Sequence, residues 1–65
     1  MIVKLEPIFS EQMDYFLAFF RTLARDGVVS RGRAVVEFST DQTEQEILDS
    51  LSGKSLPQPT FSEEP

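Results

Sequence analysis

The densest group of side chains able to do chemistry in this 65-residue chain is a run of carboxylates in its second half. Asp41, Glu44, Glu46 and Asp49 could share a divalent cation, because carboxylate oxygens are the ligands such ions prefer. They lack the loop spacing and central glycine of a calcium-binding hand, so a solvated acidic face is the favoured interpretation. The chain also lacks cysteine and histidine, the common zinc, haem and iron–sulfur ligands. We therefore expect neither a metal nor a cofactor.

Nucleophilic catalysis would have to use serine, lysine or a carboxylate, since no histidine or cysteine is present. The serines stand where backbone capping in turns and at helix ends explains them without catalysis. These are Ser30, Ser39, Ser50, Ser52, Ser55 and Ser62. We expect a protein that is not an enzyme.

A small basic patch offers candidate phosphate contacts. Arg31 and Arg33 flank Gly32, and Lys4 lies in the first apolar stretch. A nucleic-acid surface usually carries a clustered excess of positive charge, whereas this chain has a net charge of −5. Nucleic-acid binding would need a homodimer to double the patch, and the alternative is a turn or strand whose wet face is charged.

The charge distribution divides the chain near Ser39. Acidic and basic residues cancel in the first part, and the net negative charge lies in the second. We predict a small α+β body over residues 1–39, stabilised by dimerisation or a partner. Residues 40–65 would form an acidic helix followed by an extended, proline-containing tail. A chain of this length supports only a small core, and disulfides are excluded.

One helix, predicted from Ser10 as its N-cap to Asp26, carries most of the large apolar side chains. The spacing typical of one buried helical face is shared by Met13, Phe16, Leu17, Phe20, Leu23 and Ala24. Tyr15 and Phe19 widen that face, so the helix serves either as the core alone or also as a partner interface.

The flanking segments predict the remaining α+β elements. Ile2 to Phe9 suits a short strand with Val3, Leu5 and Phe9 on one face, ending near Pro7. Val28 to Phe38 reads as a second strand or a short helix. The strand is preferred for its β-branched residues, with Gly32 marking a bulge or close approach.

A short C-terminal helix is predicted after Thr40, with Asp41 and Glu44, or Thr43 and Glu46, as its capping pair. Ile47, Leu48 and Leu51 form its apolar stripe, and Gly53 closes it. The following tail would be mobile and disordered when free, or a strap whose Leu56 and Phe61 fill pockets on a partner.

No stretch approaches the roughly 20 apolar residues that cross a bilayer, and no secretory signal pattern is visible. We expect a cytoplasmic protein without membrane contact.

The strand Ile2–Glu6, the helix opened by Ser10, the Gly27 turn and the Ser30-Arg31 segment before Ala34-Val35 resemble the ribbon-helix-helix antitoxins of type II toxin–antitoxin pairs. The resemblance implies strands that pair across a dimer to read DNA, and an acidic C-terminal segment that inhibits a basic toxin. Position by position, Ile2, Lys4 and Glu6 would hold the outward-facing strand positions.

Together these observations predict a small antitoxin-like regulator whose acidic C-terminal segment binds and inhibits a basic protein. The alternative is a small accessory subunit of a larger complex. The predicted partner-binding side chains are Tyr15, Phe19, Ile47, Leu48, Leu51, Leu56 and Phe61.

Overall fold

The computed structural model describes residues 1–64, which form two helices and four strands. In chain order these are β1 (Ile2–Leu5), α1 (Ser10–Leu23), β2 (Ser30–Gly32), β3 (Val35–Ser39), α2 (Glu44–Leu51) and β4 (Pro59–Ser62). The predicted α+β class is confirmed.

The four strands make one antiparallel sheet in the order β2-β3-β1-β4. The first strand is central, because Val3 lies opposite Phe38 on one side and Phe61 on the other. The sheet therefore joins the beginning and the end of the described chain.

Both helices cover the same face of the sheet. Alternate strand residues such as Val3 and Val36 are fully buried. The ring of Phe20 from α1 stacks on the ring of Phe38, with 6.2 Å between the ring centroids. The buried apolar residues form a single core of Val3, Leu5, Ile8, Met13, Phe20, Leu23, Ala24, Val36, Phe38, Ile47 and Leu51. The opposite face is open and mixed, with the polar Lys4, Glu37 and Thr60 beside Ile2 and Val35.

The first helix is shorter than predicted at its C-terminal end and is capped one residue earlier. Phe9 is the N-cap residue, and its N–H donates to Gln12 Oε1 at 3.1 Å. The helix ends at Leu23 rather than Asp26, because the Arg25 N–H donates at 2.7 Å to the carbonyl of Ser39 outside the helix. Phe9, predicted to be buried with β1, lies beyond the strand and is 69% exposed.

The ambiguous segment folds as the β2-β3 hairpin rather than as a helix. Its two-residue turn is Arg33-Ala34, with Ala34 at φ 57°. A Cβ on Gly32 would come within 2.6 Å of Val35 Cγ1, so the expected close approach is present. The hairpin is tied to the β1–α1 connection by the Ile8 N–H, which donates to the Ala34 carbonyl at 3.0 Å.

The predicted division at residue 39 does not separate two structural units, because the C-terminal part completes the sheet and core of the N-terminal part. The tail is extended as predicted, but it is not free: β4 pairs along its length with β1. Leu56 and Phe61 are half-buried against this chain's own core. The long-range pairing supplies the hydrogen bonds that a disordered tail would have left to water.

The pairing of β1 also differs from what the ribbon-helix-helix resemblance implies. A strand that pairs across a dimer needs a free edge, whereas β3 and β4 of the same chain occupy both edges of β1. Strand pairing of β1 across a dimer is therefore not available in this fold.

Candidate protein-binding site at the α2–β4 side

The second helix is fixed at its N-terminus by a reciprocal capping box. Thr43 Oγ1 accepts from the Glu46 N–H at 3.2 Å, and Glu46 Oε1 accepts from the Thr43 N–H at 3.1 Å. This is the Thr43–Glu46 alternative of the two predicted pairs. The cap orients α2 so that Ile47 and Leu51 are buried while Glu44 and Asp49 stay exposed.

The α2–β4 side, defined here as α2, β4 and residues 63–64, is rich in carboxylates. Glu44, Glu46, Asp49 and Glu63 are exposed and form no ion pair within residues 1–64. Arg31 and Arg33 lie at the far edge of the sheet, in and beside β2. The fold therefore separates the acidic α2–β4 side from the basic hairpin.

Two clefts lie between α2 and β4, one near each end of the strand. The first, the leucine-lined cleft, has a volume of about 220 Å³ and is lined by Leu48, Leu51, Ser52, Leu56, Pro57, Gln58 and Pro59. The second, the acidic cleft, has a volume of about 290 Å³ and is lined by Met1, Glu44, Phe61, Ser62 and Glu63. The leucine side chains of the first cleft can contact an apolar side chain, and the carboxylates of the second cleft suit a cation.

The predicted partner-binding residues of the C-terminal half are only partly accessible. Ile47 and Leu51 belong to the core, at 0% and 7% exposure, so they support the site from below. Leu48 is 36% exposed, and Leu56 and Phe61 are half-buried at the two clefts.

Of the two predicted partner-binding aromatic residues on α1, one is exposed and the other is half-buried. Tyr15 is 81% exposed and meets Phe16 edge to face at 4.8 Å. Phe19 is half-buried beneath Lys54, whose Nζ lies 4.7 Å from the ring centroid. Gln12 Nε2 donates to the Ser55 carbonyl at 2.8 Å, so this flank of α1 carries the segment that leads to β4.

A polar cluster joins the two ends of the described chain. Arg25 pairs with Asp41 at 2.6 Å through Nε and makes a two-pronged contact with Glu64, and the N-terminal ammonium group lies 2.9 Å from Glu64 Oε1. The hydrogen bond from Arg25 is the main reason that the pKa of Glu64 falls from its ordinary 4.5 to about 2, and the ammonium group adds to this effect. The hydrogen bonds of Arg25 to Glu64 and to Asp41 raise the pKa of Arg25.

Sequence reasoning did not identify this cluster. Arg25 was assigned to the last helical turn, and Glu64 to the tail. No local pattern reveals the pair, because the residues are 39 positions apart. The N–H of buried Thr40 donates to the Met1 carbonyl at 2.9 Å and holds the loop beside the cluster.

The three predicted phosphate-contacting residues are not brought together. Lys4 lies opposite Glu37 on the open face of the sheet, whereas Arg31 is opposite the buried Val36 and so belongs to the helix-covered face. There Arg31 Nη2 pairs with Asp14 at 2.9 Å. Arg33 is exposed in the hairpin turn. These positions do not form one continuous basic surface.

Comparison with known proteins found no match to any family model, curated protein or solved structure. In the part of the chain that the structure describes, neither helix is long and apolar enough to cross a membrane. Nor do three acidic side chains converge there on a point that could hold a metal ion.

Proposed function

We propose that this chain is a small protein-binding regulator that engages a basic protein through its α2–β4 side. The observation that carries the proposal is the set of four exposed carboxylates, Glu44, Glu46, Asp49 and Glu63, which no cation of residues 1–64 neutralises. Complementary charge of this kind steers association and selects partners more than it adds raw affinity. A basic protein surface is the complementary partner.

The resemblance to ribbon-helix-helix antitoxins supports a regulatory consequence of this binding. In that family the acidic C-terminal segment inhibits a basic toxin; the strand pairing differs here, but the four exposed carboxylates of the proposed site likewise lie in the second half of the chain. We therefore propose inhibition as the outcome of binding. The proposal does not include DNA binding, since Lys4 and Arg31 lie on opposite faces of the sheet.

The test is affinity capture from the native host with three tagged baits, followed by mass spectrometry of the bound chains. The first bait is the wild type, and the second carries Glu44→Lys and Glu63→Lys. The third, a matched control, carries Glu6→Lys and Glu11→Lys. Each double variant replaces two glutamates by lysines, so both alter the net charge equally. In each, one glutamate lies in the first turn of a helix and the other lies outside the helices.

We expect wild type and the Glu6/Glu11 control to capture one small basic protein in equal amount, and the Glu44/Glu63 variant to lose it. Adding the purified chain should lower that protein's activity in proportion to complex formed. Equal capture by all three baits would contradict the proposed site, and capture of no basic protein would contradict the proposed function.

A second candidate, an accessory subunit of a larger assembly, is favoured by exposed apolar side chains away from the acidic side. Phe9, Tyr15 and Val28 are 69%, 81% and 63% exposed. Large aromatic residues at such exposure are typical of contact surfaces. This candidate predicts that the baits recover several large subunits, and that Tyr15→Ala weakens capture more than Glu44→Lys with Glu63→Lys.

A further inference from the structure

The outer edge of β4 is an unpaired strand edge on the side where the partner is proposed to bind. The strand bonds to β1 on one side only, and no backbone hydrogen bond within residues 1–64 joins its other side to another segment. Thr60 and Ser62 direct their main-chain groups towards β1, so Pro59 and Phe61 face the free edge. Proline has no N–H, so the edge offers the C=O groups of both residues and the N–H of Phe61 to an incoming extended segment. The other edge strand, β2, carries Arg31, which pairs with Asp14, and adjoins the exposed Arg33, so it offers no negative charge to attract a basic segment.

The two clefts are placed to receive alternate side chains of a strand added at this edge. Pro59 lines the leucine-lined cleft and Phe61 lines the acidic cleft, and both residues face the helix-covered side of the sheet. Residues two apart in a strand are separated by about 7 Å and point to the same face. Two side chains at positions i and i+2 of an added strand would therefore lie beside Pro59 and Phe61.

The clefts differ in the side chain they favour. Leu48, Leu51 and Leu56 line the first, which suits an apolar side chain. Glu44 and Glu63 line the second and supply two negative charges. The N-terminus of α2 is nearby, but its dipole is equivalent to only about half a positive charge, so a cation is still favoured there.

We propose that the basic partner binds by adding an antiparallel strand to β4, using a lysine or arginine and, two residues later, an apolar side chain. This inference rests on the proposed function and adds the mode of recognition. The antiparallel direction continues the pattern of the whole sheet and is the slightly more stable pairing. An antiparallel segment runs opposite to β4, so its N-terminal part lies beside Phe61 and its C-terminal part beside Pro59. The basic residue therefore precedes the apolar residue in the sequence of the added strand.

The experiment uses the full chain and a short, capped threonine peptide carrying one lysine and, two positions later, one leucine. Binding is measured by fluorescence anisotropy, and amide hydrogen exchange is followed by NMR for each residue. The control peptide has the same composition with lysine and leucine adjacent, which sends their side chains to opposite faces. A second control reverses the order of lysine and leucine.

We expect the first peptide to slow amide exchange at Phe61, the residue of β4 whose N–H faces the free edge, and both controls to bind about tenfold more weakly. Glu63→Lys should reverse the preference for lysine over glutamate at the first position. Leu48→Ala should reduce the preference for leucine over alanine at the second. These paired changes separate contact at each cleft from any general loss of fold.

Equal binding of the adjacent-residue control, or binding without slowed exchange in β4, would overturn strand addition. If the native partner is still captured and still lost in the Glu44→Lys, Glu63→Lys variant, the proposed function survives that failure. Slowed exchange in β4 that grows with the concentration of the protein alone would place a second copy at this edge and would also overturn the inference.

Discussion

The α1-covered centre of the sheet and its α2–β4 side are held by different interactions. At the centre, Phe20 is fully buried and packs on Phe38, so apolar burial stabilises this region. On the α2–β4 side, Ile47 anchors α2 in the same core, but Phe61 is only half-buried and the end of the described chain is held by ion pairs of Glu64. The contrast predicts that substitutions at the centre lower the stability of the fold more than substitutions in β4 or at Glu64.

Replacing Phe20 should have the largest effect on stability. Phe20→Ala removes a ring with 0% exposure and leaves a cavity, so the free energy of unfolding should fall by about 3 to 5 kcal/mol. Denaturant unfolding of this variant measures the loss. Tyr15→Ala, a change at an 81% exposed ring on the same helix, should cost less than about 1 kcal/mol. Equal losses for the two variants would remove the distinction between the centre and the surface.

Replacing Phe61 should have an intermediate effect. A mobile tail, as predicted from the sequence, would make a change here harmless to the free protein, whereas the pairing of β4 and the half-buried Phe61 make it destabilising. Phe61→Ala should lower the free energy of unfolding by about 1 to 2 kcal/mol, because only part of the ring is removed from water. Hydrogen exchange in β4 should accelerate more than exchange in β3.

The control for Phe61 is Ser62→Ala, which changes an exposed neighbour on the same strand. It should leave both unfolding and exchange near wild-type values. An unchanged melting temperature for Phe61→Ala would mean that the β4 pairing contributes nothing to the stability of the free chain.

The smallest expected effect is the pH dependence that arises from Glu64. Its pKa in the folded protein, about 2, is below the ordinary 4.5, so its ion pairs contribute fully above about pH 4.5. That contribution is lost as the pH falls from 4.5 towards 2. Glu64→Gln should therefore flatten the decline of the melting temperature over this range, and superimposable wild-type and variant profiles would contradict the role of the cluster.

Local patterns predicted the elements whose signals lie within a few residues. The two candidate capping pairs placed the start of α2 to within two residues, and the structure selects Thr43 and Glu46; the alternation of Val3 and Leu5 predicted β1. The β-branched residues of β3 were sufficient to favour a strand. In each case the stabilising contact is close in sequence or follows the period of the element.

Long-range contacts could not be predicted in this way. Pro59–Ser62 contains prolines and polar residues typical of a mobile tail, yet it becomes a strand because β1 provides a pairing partner more than fifty residues earlier. The end of α1 was likewise misplaced because its cause is a bond to Ser39. For the site, the acidic residues were apparent, whereas the clefts depend on how α2 is placed against β4.

The most direct test of the proposed binding site is the rate at which the captured basic partner associates with the chain, measured at increasing salt concentrations. We predict that Glu44→Lys with Glu63→Lys slows association at least about tenfold at low salt, and that the difference from wild type shrinks as salt screens the charges. The Glu6→Lys, Glu11→Lys control should remain closer to wild type. Equal rates for the two double variants at low salt would contradict a binding site on the α2–β4 side.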